Sequence, residues 1–115
     1  GFMCSRDEIN SIVKDLYAAM AELFPDDCPD AILYGSYARN TADEESDIDL
    51  LFLVNASRDT IAEKNWQLGD AAFDMLLKYG VMVSPVVENR EYYYSNAQIL
   101  PFFKNITREG VKIGA

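Results

Sequence analysis

Leu33-Tyr34-Gly35-Ser36-Tyr37-Ala38-Arg39 and then Asp47-Ile48-Asp49-Leu50, with ten residues between Ser36 and Asp47, form the stretch that decides how this chain folds. Apolar runs flank it, Ala31–Tyr34 on one side and Leu50–Val54 on the other. A glycine–serine pair at the end of a strand can turn backbone N–H groups toward a polyphosphate. Two aspartates one residue apart on a strand share a face. Together such groups could hold a divalent metal against that polyphosphate. With each fixed residue at roughly 5–7% frequency, the four-position pattern arises by chance on the order of once in 1,000 chains of this length.

Taken alone, Gly35-Ser36 is ordinary turn chemistry, because both residue types are common where a strand meets a helix. The aspartates change the balance. One reading makes Asp47 and Asp49 solvated carboxylates at the start of a strand. Against it, the Leu-Phe-Leu-Val run that follows marks a central strand, and aspartate disfavours strands. Same-face carboxylates also repel unless a cation lies between them. Asp47 and Asp49 are therefore the candidate metal ligands and catalytic residues. Gly35 and Ser36 are the candidate phosphate-binding pair. Arg39 reads as a helix-face surface residue placed so that it could also reach a phosphate. Asp43, Glu44 and Glu45 read as a solvated loop, and Tyr92-Tyr93-Tyr94 as packing.

Outward from this centre, the spacing predicts alternating helices and strands. Ser5 and Glu8 form a capping box, and Ile9, Ile12, Val13, Leu16, Met20, Leu23 and Phe24 follow helical spacing until Pro25. Asp47–Val54 reads as a strand with Ile48, Leu50, Phe52 and Val54 on one face and Asp47, Asp49, Leu51 and Leu53 on the other. Ser57 is a candidate N-cap for one long helix carrying Ile61, Leu68, Ala72, Met75, Leu76 and Tyr79, closed by Gly80. Val81–Val87 reads as a strand that Pro85 confines to an edge or a bulge. Glu88–Arg90 opens a polar, aromatic segment. Pro101 opens a last helix through Glu109, with Gly110 ending it and Val111–Ile113 as a short strand. The fold class is α/β, or α+β, with a small mixed sheet flanked by helices, in a single domain over residues 1–115.

Composition narrows the chemistry. The 115 residues contain no histidine, which removes histidine bases, histidine triads and histidine zinc sites. Ten Lys and Arg against 19 Asp and Glu give a net charge of −9, the wrong sign for an autonomous nucleic-acid binder and the right one for a basic partner or a metal-borne substrate. No apolar run reaches the ~18 residues of a membrane span, and no secretion signal is visible. Cys4 and Cys28 fit no metal spacing, so reduced thiols and a cytoplasmic location are expected.

At Leu33–Arg39 and Ser46–Leu50 the chain resembles the DNA polymerase β-like nucleotidyltransferase superfamily, in its minimal nucleotidyltransferase (MNT) branch. The ending Arg108-Glu109-Gly110-Val111 is also similar to the close of such domains. The resemblance implies that Gly35 and Ser36 grip a nucleoside triphosphate, ATP or another, and that Asp47 and Asp49 bind two Mg²⁺ ions. It implies transfer of a nucleoside monophosphate, most simply AMP, to an acceptor hydroxyl, with pyrophosphate leaving. It also implies a partner protein, since small domains of this type pair as antitoxins with helical HEPN-type toxins and some adenylylate them. Two positions depart from the family pattern. Asn40 stands where glycine is common and tolerates the same left-handed turn. The strand expected to carry a third carboxylate reads Val81-Met82-Val83-Ser84-Pro85-Val86-Val87 and has none. Ser84 stands in that region, and Glu88 could serve only if the backbone bends at Pro85. The alternative is therefore a catalytically weak or inactive module that acts by association. Transfer to a small molecule is less favoured, because an acceptor site would need more chain.

Overall fold

Local signals set the helix starts. In the computed structural model, which describes residues 3–113, Ser5 Oγ accepts from the Glu8 amide at 3.2 Å while the Ser5 amide donates to Glu8 Oε1 at 3.0 Å. This reciprocal box opens α1, Arg6–Leu23. Residues 1, 2, 114 and 115 of the expected 1–115 domain lie outside the described residues. After α1 come β1 (Asp30–Tyr34), a one-turn α2 (Ser36–Arg39) and β2 (Ile48–Val54). Next are α3 (Arg58–Glu63), α4 (Asn65–Tyr79), β3 (Val83–Asn89), α5 (Arg90–Asn96), α6 (Pro101–Glu109) and β4 (Val111–Ile113).

The four strands form one mixed sheet in the order β3-β2-β1-β4. β1 pairs antiparallel with both β2 and β4, while β2 and β3 run parallel across the α3–α4 connection. Strand β2 is central and buried on both faces, which its unbroken Leu-Leu-Phe-Leu-Val run predicts. Its Ile48, Leu50, Phe52 and Val54 meet Ile9, Ile12, Leu16 and Met20 of α1 and Ala71 and Met75 of α4. Its Leu51 and Leu53 face the other way, with Ile32, onto Tyr93 of α5 and Phe103 and Ile106 of α6. Helices thus cover both faces, as expected of an α/β fold with a small mixed sheet.

Two expectations need correction. The long helix after Ser57 is two helices, broken at Lys64 with φ −98° and ψ 5°. Seven residues separate Ile61 from Leu68, almost two whole turns, so the apolar stripe stays in phase across the break and periodicity does not register it. The aromatic segment after Glu88 is a helix, α5. The Asn89 side chain caps it by accepting from the Tyr92 amide at 2.8 Å. Asn89 is at once the last residue of β3 and the cap of α5, which hid the start signal inside a strand. Pro85 does lie on an edge strand, and Gly80 closes α4 at φ 71°.

Candidate functional site

The sheet's second face is covered along only part of its length. Packing from α5 and α6 reaches Leu51 and Leu53, while at the opposite end of β2 the same face carries Asp49. Tyr34 of β1 pairs with Asp49 on one side and Ser84 of β3 pairs with it on the other. A row of three polar-tipped residues therefore crosses the sheet where β1 ends and β2 begins. Tyr34 packs edge-on against Phe102 of α6 with ring centroids 5.7 Å apart, so α6 borders this open end.

Beyond Tyr34 the chain turns at Gly35, with φ 75° and ψ −157°, backbone that glycine alone adopts readily. A Cβ on Gly35 would overlap Asp49 Oδ2, so the turn lies directly against that carboxylate. Ser36 follows as the first residue of α2. The Ala38 and Arg39 amides both donate to Gly35 O at 3.1 Å. Asn40 then adopts the left-handed conformation, φ 60° and ψ 33°, which its short polar side chain tolerates.

The acidic loop that returns to β2 is self-supported. Asp43 Oδ1 accepts from the Glu45 amide at 2.9 Å and from Ser46 Oγ at 3.2 Å, consistent with its reading as a loop. Asp47 is exposed just ahead of β2, and the Ile48 amide donates to Met82 O at 3.0 Å as the parallel pairing begins. Asp49 is half-buried. Burial raises its pKa, the neighbouring Asp47 charge raises it further, and Glu109 adds to this while Arg39 opposes it. Burial, followed by the Asp49 charge, pushes the Tyr34 hydroxyl up to about 12.

Arg39 does not point freely into solvent. Its Nη1 donates to both carboxylate oxygens of Glu109 at 3.1 Å, and the Gly35 amide donates to Glu109 Oε1 at 3.2 Å. The sequence offered Glu109 only as part of a domain ending, because 74 residues separate it from Gly35. Tyr34 was likewise read as an apolar strand residue. Its place beside Asp49 follows only from the β1–β2 register.

The geometry also resolves the question of Glu88. The β2–β3 ladder runs unbroken from Ile48↔Val83 to Val54↔Asn89, so the backbone does not bend at Pro85. Glu88 pairs with Leu53, four positions beyond Asp49, or about 13 Å along the strand. Its carboxylate is buried and committed to Arg58 Nε at 3.2 Å and the Asn89 amide at 2.7 Å. Among the described residues no cluster of three or more histidine, cysteine, aspartate or glutamate side chains could hold a metal. The Asp47–Asp49 pair nevertheless suits Mg²⁺, which commonly takes one or two carboxylates and fills its remaining positions with substrate oxygens and water.

The profile of the nucleotidyltransferase domain family matches residues 9–105. Three proteins of Methanocaldococcus jannaschii, each named provisionally as a protein adenylyltransferase, are similar to the chain. One is 32% identical over 106 residues, covering 92% of this chain and 99% of the relative. A second is 32% identical over 98 residues, covering 85% and 90% respectively. The third is 34% identical over 84 residues, 72% of this chain but only 57% of the relative's length. Among solved structures, a toxin–antitoxin crystal structure with AMP-PNP superposes with a TM-score of 0.51 at 16% identity, covering 89% of this chain and 73% of that one. A mutant of the toxin–antitoxin MntA-HpeT gives 0.52 at 17% identity, covering 90% and 72%. At such identities these two superpositions speak to the fold.

Proposed function

The chain belongs to the nucleotidyltransferase domain family, and from that premise we propose that it transfers AMP from ATP to a hydroxyl on a partner protein. One observation carries the reading: Asp47 and Asp49 lie at the open end of the sheet with the Gly35-Ser36 turn directly against Asp49. In this reading residues 1–115 form one nucleotidyltransferase domain. The Gly35 and Ser36 amides, the Ser36 hydroxyl and the Arg39 guanidinium bind the β- and γ-phosphates. Asp47 and Asp49 hold Mg²⁺, which supplies charge neutralisation at the phosphates. The acceptor oxygen bonds to the α-phosphorus, the bond to the β-phosphate oxygen breaks, and pyrophosphate leaves while the hydroxyl proton passes to solvent. The adenylyltransferase naming of the Methanocaldococcus relatives supports AMP and a protein acceptor. Both structural neighbours are toxin–antitoxin proteins, one of them with AMP-PNP, which supports ATP and a toxin partner, for which a HEPN-type helical protein is the candidate.

A second reading, a weakly active or inactive module that neutralises its partner by association, is favoured by a different observation. Opposite Asp49 stands Ser84, whose neutral hydroxyl is a poor Mg²⁺ ligand and no general base. The net charge of −9 suits a basic partner. On α4, Trp66, Phe73 and Leu77 are 86%, 57% and 69% exposed at helical spacing beside Asp70 and Asp74, an apolar stripe with acidic flanks. Both readings place the protein in the cytoplasm with no nucleic-acid or membrane partner. Among the described residues no helix is long and apolar enough to cross a membrane.

Calorimetric titration with ATP, with and without Mg²⁺, tests the shared premise. Binding should require the metal and vanish in Asp47→Asn/Asp49→Asn. Incubation with α-labelled ATP and candidate helical toxin partners then separates the readings, since covalent label on a partner requires transfer. Undiminished ATP affinity in the double variant would refute the nucleotide site itself.

A further inference from the structure

Two donors that a triphosphate would use in the reading above are already engaged. The Gly35 amide and Arg39 Nη1 converge on one carboxylate, that of Glu109, at 3.1–3.2 Å. Neither donor is a neighbour of Glu109 in sequence. The contact exists because α6 ends on β1: a Cβ on Gly110 would lie 2.7 Å from Ile32 Cγ2 and 2.5 Å from Ile106 O, so the chain past Glu109 is pressed onto the sheet. That seating leaves only 18% of the Glu109 side chain exposed, against 49% for Arg39. A carboxylate between a backbone amide and a guanidinium is chemically equivalent to one face of a phosphate.

Resting on the nucleotide reading, we propose that Glu109 is an intramolecular occupant of the triphosphate subsite, and that the bound polyphosphate takes its place between Gly35 and Arg39. Arg39 uses a single nitrogen on both Glu109 oxygens, so the rest of its guanidinium remains available to begin the exchange. The ion pair is half-exposed on the arginine side, and pairs of that kind contribute only about 0.2–1 kcal/mol. A phosphate oxygen offers the same donors greater charge, so exchange is favoured once the ligand arrives. Until then Glu109 keeps the Gly35 amide satisfied and Arg39 in place. It also adds negative charge beside Asp49, and that charge moves away when the carboxylate is displaced. Glu109 thereby sets the affinity of the site by competing for it.

Glu109→Gln keeps an acceptor for the Gly35 amide and removes the ion pair with Arg39. Inorganic tripolyphosphate, titrated calorimetrically in the presence of Mg²⁺, should bind this variant about two- to fivefold tighter than wild type, the fold-change that a pair of this strength represents. The gain should disappear in an Arg39→Gln background. A strut that merely held Arg39 ready would give weaker binding in Glu109→Gln, and that result overturns the proposal. Should the variant fail to fold, the side-chain carboxyl carbon resonance of Glu109 in the wild-type protein decides. It should shift on saturation with tripolyphosphate, and an unmoved resonance overturns the proposal. If ATP with Mg²⁺ binds but Glu109→Gln gains nothing, only this inference fails. If neither ATP nor tripolyphosphate binds wild type, the nucleotide reading fails with it.

Discussion

Asp49 ionises against its surroundings. Burial, Asp47 and Glu109 all disfavour its charged form, and Arg39 only partly compensates. A carboxylate whose pKa is higher folded than unfolded binds its proton more tightly in the folded state. Stability then falls as pH rises from the ordinary aspartate pKa through the raised one, and that loss persists at neutral pH. Asp49→Asn should therefore melt at a higher temperature than wild type at pH 7, with a flatter pH–stability profile above the ordinary aspartate pKa, while losing metal-dependent ATP binding. Equal melting temperatures at pH 7 would mean that the charge at Asp49 is already neutralised in the ligand-free protein. Gly35 carries the complementary constraint. Its positive φ and the overlap of any Cβ with Asp49 Oδ2 make Gly35→Ala costly, about 1–3 kcal/mol in chemical denaturation. Relief of the overlap in Gly35→Ala/Asp49→Ala should recover part of that loss.

Among the elements, β3 decides how the site is furnished. Parallel register sets Ser84 opposite Asp49 and carries Glu88 to the far end of the strand, tied to Arg58 and the Asn89 amide. Ser84→Asp should thus tighten Mg²⁺ binding, and any transferase rate should rise, within the roughly 10²–10⁴-fold that general-base assistance supplies. Glu88→Gln should leave ATP affinity unchanged and lower the melting temperature, because Arg58 and the Asn89 amide lose a charged acceptor. Transfer activity lost in Glu88→Gln but indifferent to Ser84→Asp would contradict this register. That the apolar run around Ser84 is a strand was legible, and the family resemblance put Ser84 in the region of the third carboxylate. Its pairing with Asp49 is set by the β2–β3 register. The fate of Glu88 was not legible, since a bend at proline is a backbone property that its neighbours decide. Helix α5 and the Lys64 break escaped for related reasons. Asn89 hides its cap inside β3, and an in-phase break leaves no trace in spacing. The aspartates and the glycine–serine turn were legible as a unit because they border two consecutive strands, the turn following β1 and Asp47 preceding β2, with Asp49 inside β2. Tyr34 and Glu109 depend on pairings across β1–β2 and α6–β1 that one sequence does not display.

At the scale of the whole molecule, the sheet is fastened at one end and open at the other. Away from the site, Arg90 donates to Asp30 Oδ2 at 3.1 Å, Cys28 O at 2.9 Å and Leu53 O at 3.0 Å. Nearby, Asp27 accepts from the Asn55 and Ala56 amides at 2.8 and 3.1 Å. These bonds tie the start of β1, the end of β2 and the start of α5 into one rigid base. At the other end, the like charges of Asp47 and Glu109 act on Asp49, and Arg39 offsets them in part. A ligand that neutralises these charges and binds only the folded state should therefore raise global stability. A ligand that binds only the folded state at about 100 times its Kd adds about 2.7 kcal/mol, or roughly 10 °C in Tm for a domain of this size. ATP with Mg²⁺ should produce a shift of that order in differential scanning fluorimetry, and ATP with EDTA should produce far less. Asp47→Asn/Asp49→Asn should start from a higher Tm than wild type and show no shift, because the substitutions remove both the repulsion and the ligands. An equal ATP-and-Mg²⁺ shift in that double variant would place the nucleotide elsewhere on the molecule and separate the charged end of the sheet from its proposed work.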